Sequence, residues 1–384
     1  MSNFTFYCTQ YKNNVLLLTT TFQNGIYMVY YTFKVNLEEN QMGKKIINLG
    51  LDIGNYDVKT VNTSTPSGFN VFTTKPYGVS EYLLYEGKYY IPSMDRFAYV
   101  QDKTKNENAF VMSLFGISKE LIARAKKKAE RQQKKAEETS SYLPNVINVQ
   151  DALNETCTLN LGVGVPPTHY ATLAQKTIDY YKEHFSGPVV CEFNGYMIEI
   201  NLNFCQCYPQ DIAAVCGYVP KKKDDSVINF SSYYAIDIGG WTVDVITFIN
   251  NELDNTKCDS KPLGILPMYE SIIKHVEEET GKRITKDIIG SILAGKPTLV
   301  PEGIKDFILN DVKNHIRLIL GELAQFGLSF DLYPTLFIGG GSLLFRKYID
   351  EVKDEFGLIK YEFIENPNAN ALGYEKLIRQ TNNN

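Results

Sequence analysis

The sequence predicts an α/β fold built from two related halves, and three observations carry that prediction. Residues 232–248 read as a buried strand, a tight turn at Asp237, Ile238, Gly239 and Gly240, and a second strand in which Val243 and Val245 alternate with Thr242 and Asp244. Residues 51–61 align on residues 236–246 without a gap, matching Asp52 to Asp237, Gly54 to Gly239, Tyr56 to Trp241 and Val58 to Val243. A third glycine cluster, Gly339, Gly340 and Gly341 followed by Ser342, closes a short apolar strand and opens a helical pattern at Leu343.

Each hairpin pairs a strand-ending carboxylate with a glycine turn. Glycine lets backbone N–H groups approach an anion where a side chain would collide, and a carboxylate beside them suits Mg²⁺. The combination points to a nucleotide phosphate with its metal, and makes Asp52 and Asp237 the candidate metal ligands. The copies differ at one position: Lys59 stands where the second has Asp244, so the first hairpin alone brings a cation toward the phosphates.

Composition narrows the classes. At 384 residues the chain is long enough for two domains, and 44% hydrophobic with 22% charged residues is the balance of a packed globular protein. A net charge of −5 argues against a general nucleic-acid binder. Seven cysteines, four histidines and no pair of Cys-x-x-Cys motifs suggest neither a zinc site nor a disulfide framework, and reduced thiols in a cytoplasmic protein are expected.

In chain order, residues 1–41 carry β-rich runs on either side of Asn24 and Gly25, a hairpin signal, and are too polar for a membrane span. A strand meander follows over 46–75, then an aromatic-rich section over 76–113. A helix is expected from Ser118, as N-cap, to about Glu138; its Arg124, Lys126, Lys127, Lys128, Arg131, Lys134 and Lys135 form either a contact surface or a solvated face. Residues 159–165 are a strand ending at Pro166 and Pro167, with a helix from about Thr168. Residues 197–204 alternate as a strand, a helix starts near Pro209, and Lys221, Lys222 and Lys223 sit in a polar connection. Residues 264–279 and 304–326 are amphipathic helices. Gly281-Lys-Arg-Ile-Thr resembles the tail of a phosphate-binding P-loop, but the required earlier glycine would be Val276, and no G-x-G-x-x-G follows a strand.

The three glycine segments resemble the phosphate 1, phosphate 2 and adenosine motifs of the actin, sugar kinase and heat-shock ATPase superfamily. Within it the chain is similar to the bacterial actin-like ParM (StbA) proteins, whose C-terminal Asn-Ala-x-Gly-Tyr helix matches Asn370, Ala371, Leu372, Gly373 and Tyr374. The resemblance covers about residues 44–379. It implies an actin-like, ribonuclease H-like duplicated fold with two domains flanking a nucleotide cleft. The expected division is 1–41 as an extension, 42–232 as domain I with a subdomain at 76–145, 233–365 as domain II with a subdomain at 262–300, and 366–384 as a helix returning to domain I.

The resemblance further implies ATP with Mg²⁺, GTP being an open alternative. The phosphates would be held by Gly54, Asn55, Tyr56 and Lys59 and by Gly239, Gly240, Trp241 and Thr242, and the nucleoside by Gly339, Gly340, Gly341 and Ser342, with Glu278 and Lys282 flanking it. His169 stands where ParM-like proteins carry a water-positioning glutamate; a neutral imidazole can accept a hydrogen bond from water, or His169 serves only to cap its helix. Asp52, Asp237 and His169 are thus the expected catalytic residues. Dynamic filaments of self-assembled chains, an adaptor bound to centromere-like plasmid DNA, and no direct membrane contact are implied. A small-molecule kinase of the same superfamily is the alternative.

Overall fold

Apolar runs over 46–53, 158–165 and 233–238 form the central strands of two sheets, one in each of two units. The computed structural model describes residues 5–9, 17–21, 46–98, 100–139, 148–154, 158–221 and 223–382. The chain divides into unit A, Phe33–Gly217 with Asn368–Asn384, and unit B, Met1–Thr32 with Tyr218–Pro367. The division falls between Gly217 and Tyr218, and residues 226 and 227 are tied into unit B, where Ser226 Oγ and Val227 N both donate to the Glu362 carboxylate, at 2.7 and 3.0 Å.

The N-terminal strands β1 (Thr5–Thr9) and β2 (Leu17–Thr21) pair antiparallel. β1 also joins unit B's sheet at its edge. The turn expected at Asn24 and Gly25 lies outside the described residues.

Unit A contains β3 (Ile46–Ile53), β4 (Asp57–Lys59), β5 (Ser64–Pro66), β6 (Phe69–Phe72), β7 (Leu83–Tyr85), β8 (Lys88–Pro92), β9 (Thr158–Val165), β10 (Val189–Phe193) and β11 (Tyr196–Pro209). Their order is β5-β4-β3-β9-β11-β10-β7-β8-β6. The centre, β3, β9 and β11, is parallel. Its Leu49, Leu51, Leu159, Leu161 and Cys207 are fully buried, as a strand covered on both faces requires. Residues 76–92 add β7 and β8 to this same sheet. Cys205 and Cys207 are free thiols whose burial pushes their pKa values up to about 12.

The helices of unit A begin with α1 (Ala109–Thr139), α2 (Val149–Asn154), α3 (Tyr170–His184) and α4 (Ile212–Gly217). α1 starts nine residues before the expected cap. Ser118 is fully buried in mid-helix, its hydroxyl 3.5 Å from Cys191 Sγ. The first turns, rich in Phe110, Met112, Leu114, Phe115 and Ile117, are enclosed on most sides, which erases the amphipathic period that marks a helix in sequence. The basic second half does present Lys126, Lys127, Lys134 and Lys135 outward or nearly so, but Arg124 turns inward, paired with Glu120 at 2.7 Å and Glu375 at 2.5 Å.

Unit B contains β12 (Tyr233–Ile238), β13 (Val243–Ile249), β14 (Glu252–Leu253), β15 (Asp259–Lys261), β16 (Thr335–Ile338) and β17 (Tyr361–Phe363). β17, β16 and β12 are parallel, β13 turns back antiparallel to β12, and β14, β1 and β2 continue the sheet while β15 pairs with β13. Its helices are α5 (Ile265–Thr280), α6 (Lys286–Leu293), α7 (Glu302–Gln325) and α8 (Gly339–Val352); Ile272, Val312, Ile316 and Ile349 make their buried stripes.

The chain returns to unit A as α9 (Ala369–Asn382). β3 is sandwiched: a methyl group on Gly116 of α1 would lie 2.9 Å from Leu51, whereas one on the neighbouring Gly50 would lie 1.8 Å from the Ala371 carbonyl of α9. Alternation puts Leu51 and Gly50 on opposite faces, so α1 covers one face and α9 presses backbone to backbone on the other. Among the described residues no helix is long and apolar enough to cross a membrane.

Candidate functional site

The two hairpins are the same object in backbone terms. Asp52 pairs across to Lys59 and Ile53 to Val58; Asp237 pairs to Asp244 and Ile238 to Val243. Inside each turn the matched glycine donates to the carbonyl three residues on, Gly54 to Asp57 at 3.0 Å and Gly239 to Thr242 at 2.9 Å. Asp52 and Asp237 are both buried, at 7% and 9% exposure, and each stands at the C-terminal end, next to the last residue, of a strand that has a parallel neighbour on one side and its own antiparallel hairpin partner on the other. In α/β sheets that end is where ligands bind.

What surrounds each turn fixes the direction of its amides. In unit B the carbonyls of Gly239, Gly240 and Trp241 accept from the first amides of α5: Ile265 N at 3.2 Å, Leu266 N at 2.8 Å and Gly264 N at 3.0 Å. A trans peptide points its N–H opposite to its C=O, so the N–H groups of Gly240, Trp241 and Thr242 face away from α5 together, as an anion cradle does. In unit A the Gly54 carbonyl accepts from Ser67 Oγ at 2.5 Å, and the Tyr56 carbonyl accepts from Ser67 N at 3.0 Å and Arg96 Nε at 2.9 Å. The N–H groups of Asn55 and Asp57 therefore face the other way. Arg96 also stacks on the Tyr56 ring, 3.8 Å from its centroid, and pairs with Asp57 at 3.5 Å.

The electrostatics of the two turns are opposed. At the first, Gln210 Nε2 donates to Asp52 at 3.1 Å, Lys59 stands opposite, and Lys103 Nζ donates to the Asn55 side-chain oxygen. Desolvation lowers the Lys103 pKa to about 8, the Asp52 charge resisting that fall. At the second turn, Asp244 stands opposite Asp237 and accepts from Thr242 Oγ1 at 2.8 Å. Burial is the main cause that raises the Asp244 pKa to about 6, with Asp237 adding to it and the Ser260 bond opposing.

The third turn packs against the second carboxylate. β16 runs parallel to β12 with Ile338 opposite Asp237, and Gly339 follows with φ +85°. A methyl group on Gly339 would lie 2.0 Å from Asp237 Oδ1, so this glycine leaves room for the carboxylate. Ser342 is buried and its hydroxyl donates to the Ile338 carbonyl, which holds the turn; of the three glycines only Gly340 is partly exposed.

His169 ends a short 3-10 turn, Pro167–His169, and occupies the N-cap position of α3, but its side chain makes no cap bond. Its Nε2 lies 2.5 Å from Gln101 Nε2. Gln210 N donates to the Val165 carbonyl at 2.9 Å, tying together the ends of β9 and β11; Asp52, Gln210 and the Pro166 to His169 segment thus share one end of unit A's sheet. Glu278 and Lys282 lie at the far end of α5 from the second turn, about 20 Å along a helix of this length. Glu278 pairs there with Lys274 at 3.7 Å, and no described contact joins either residue to the turns.

Sequence reasoning missed Lys103, Gln101, Gln210, Ser67, Arg96 and Gly264. Arg96 and Ser67 sit inside aromatic and turn sequence with no motif, and Gly264 looks like an ordinary helix cap. Among the described residues, no three His, Cys, Asp or Glu side chains gather as a metal cage. Each hairpin by itself instead offers one buried carboxylate beside outward amides, a donor set that suits Mg²⁺, which takes one or two protein carboxylates when phosphate and water complete its shell.

No protein-family model matches the chain, and no curated protein matches it by sequence. Solved structures do. The archaeal actin homologue Ta0583 is similar at TM-score 0.59 with 17% identity, over 87% of this chain and 99% of that one. ParM of Bacillus thuringiensis, solved with ATP, is similar at 0.57 with 14% identity, over 89% and 100%. The pCBH ParM non-polymerisable quadruple mutant is similar at 0.61 with 15% identity, over 88% and 100%. With its duplicated hairpins and its third glycine turn, the chain has the actin-like fold of ParM and the archaeal actin homologue.

Proposed function

We propose that the chain is an actin-like ATPase that binds Mg-ATP, hydrolyses it, and self-assembles into filaments that act in plasmid DNA segregation through an adaptor. One observation supports the reading most: two hairpins with the same internal bond, the same register and a buried carboxylate at the same place, each turning a run of amides outward. The neighbour solved with ATP supports the choice of nucleotide.

In this reading Asp52 and Asp237 hold Mg²⁺, which supplies charge neutralisation to the phosphates. The amides of Asn55 and Asp57, and of Gly240, Trp241 and Thr242, bind phosphate oxygens, and Lys59 adds a cation. Gly340 is the member of the third turn that can meet a nucleoside. His169 accepts a hydrogen bond from the attacking water at Nε2, the ring nitrogen to which the Gln101 amide donates in this structure, so the amide gives way when the water binds. Phosphoryl transfer of this kind is positioning and electrostatics, with no covalent intermediate.

The test couples three measurements on the purified chain: ATP binding by calorimetry with and without Mg²⁺, phosphate release, and light scattering after addition of Mg-ATP. Binding, release and a scattering rise without any acceptor are expected. Binding with no scattering rise at any protein concentration, and phosphate transfer to a sugar or small acid, would move the assignment to a kinase of the same fold.

A further inference from the structure

Lys103 is the first residue of a 3-10 turn, Lys103–Lys105, and its backbone is held firmly in place. Asp102 caps that turn, accepting from Thr104 N at 3.2 Å and Thr104 Oγ1 at 2.6 Å, and Asn106 N donates back to the Lys103 carbonyl at 3.1 Å. Ala109 N then donates to Asn106, which leads the segment directly into α1. From this anchored position the Lys103 side chain reaches the first glycine turn, where its described hydrogen-bond partner is the neutral side-chain oxygen of Asn55.

A desolvated ammonium normally takes a carboxylate partner, because an amide oxygen offsets only part of the lost hydration. No carboxylate lies within ion-pair distance of Lys103 among the described residues. Around this turn Arg96 is matched by Asp57, and the carboxylate whose charge acts on Lys103 is Asp52. Lys103 therefore sits beside the outward amides of Asn55 and Asp57 with a neutral oxygen as its described acceptor. Outward amides and an ammonium held on a neutral acceptor are together the groups an anion site requires.

We propose that Lys103 is a phosphate-binding residue additional to Lys59, which leaves Asn55 for the nucleotide phosphates when the site fills. This rests on the reading that the first turn binds a nucleotide. The same short segment carries Gln101, which meets His169, so engaging Lys103 with phosphate steadies the arm that holds the imidazole.

The test compares ATP and adenosine binding by calorimetry for the full chain and for Lys103→Met. Loss of one charge-assisted contact should weaken ATP binding roughly 10- to 100-fold and change adenosine binding less than about twofold. In parallel, acetylation of Lys103 in the wild-type chain, followed by peptide mass spectrometry, should be suppressed by Mg-ATP and unaffected by adenosine. This arm decides the matter if the variant does not fold. A wild-type chain that binds no nucleotide overturns the functional reading and the proposal together. A wild-type chain that binds ATP, with Lys103→Met binding equally well or Lys103 labelled at the same rate under saturating Mg-ATP, overturns the proposal alone.

Discussion

The two hairpins share a backbone and oppose each other in charge. The first gathers ammonium groups: Lys59 opposite Asp52 and Lys103 on Asn55. The second gathers carboxylates, Asp244 opposite Asp237, and answers by keeping Asp244 protonated up to about pH 6. A duplicated turn therefore does not imply a duplicated role. The same backbone turn is set among lysines in one copy and among aspartates in the other.

That contrast can be broken in graded steps. The largest effect is expected from Asp237→Ala, which removes the second hairpin's carboxylate, the one proposed to hold the metal, and should cut phosphate release at least about 100-fold while the chain stays folded; release at the wild-type rate would take Asp237 out of the chemistry. Next, Gly339→Ala drives a methyl group into Asp237 at a positive φ, and should cost about 2–4 kcal/mol in urea unfolding with loss of ATP binding. A midpoint unchanged from wild type would mean that β16 and Asp237 shift freely.

His169→Ala should slow hydrolysis about 10-fold and leave the ATP dissociation constant within a factor of two; normal turnover would hand the water to another group. The smallest effect expected is Asp244→Asn. A folded pKa of about 6 lies above the ordinary carboxylate value, so the folded chain binds the extra proton and its stability falls as pH rises from about 4 to 6. The amide, which can still accept from Thr242, should therefore raise stability at pH 7.5 by about 1 kcal/mol, and the gain should vanish below about pH 4. Thermal unfolding at the two pH values checks this, and an equal gain at both would show that the like-charge pair is not its source.

Much of this was legible from the chain because the repeat is local. Asp52 and Gly54, Asp237 and Gly239, and the three glycines from Gly339 are each consecutive or nearly so, and strand alternation fixes which face they occupy. What surrounds them was not legible. Lys103, Arg96 and Ser67 reach the first turn from 13 to 48 residues away in sequence, through bonds that carry no period or motif. The start of α1 was hidden for a different reason: residues 109–117 are enclosed too completely to show an exposed face, so the amphipathic signal begins only where solvent does. The basic stretch on α1 contained one misleading member, since Arg124 is an interior tie between Glu120 and Glu375 rather than part of a surface.

α9 carries a consequence for biosynthesis. The glycine-lined face of β3 receives its cover from residues 369–382, more than three hundred positions downstream. Unit A's sheet accordingly leaves the ribosome long before its lid exists, whereas most of unit B is made in one uninterrupted piece. During translation the face of the central strands that carries Asn48, Gly50, Gly162 and Gly164 waits uncovered until α9 is made, while the opposite, leucine-bearing face of β3 can be covered earlier by α1.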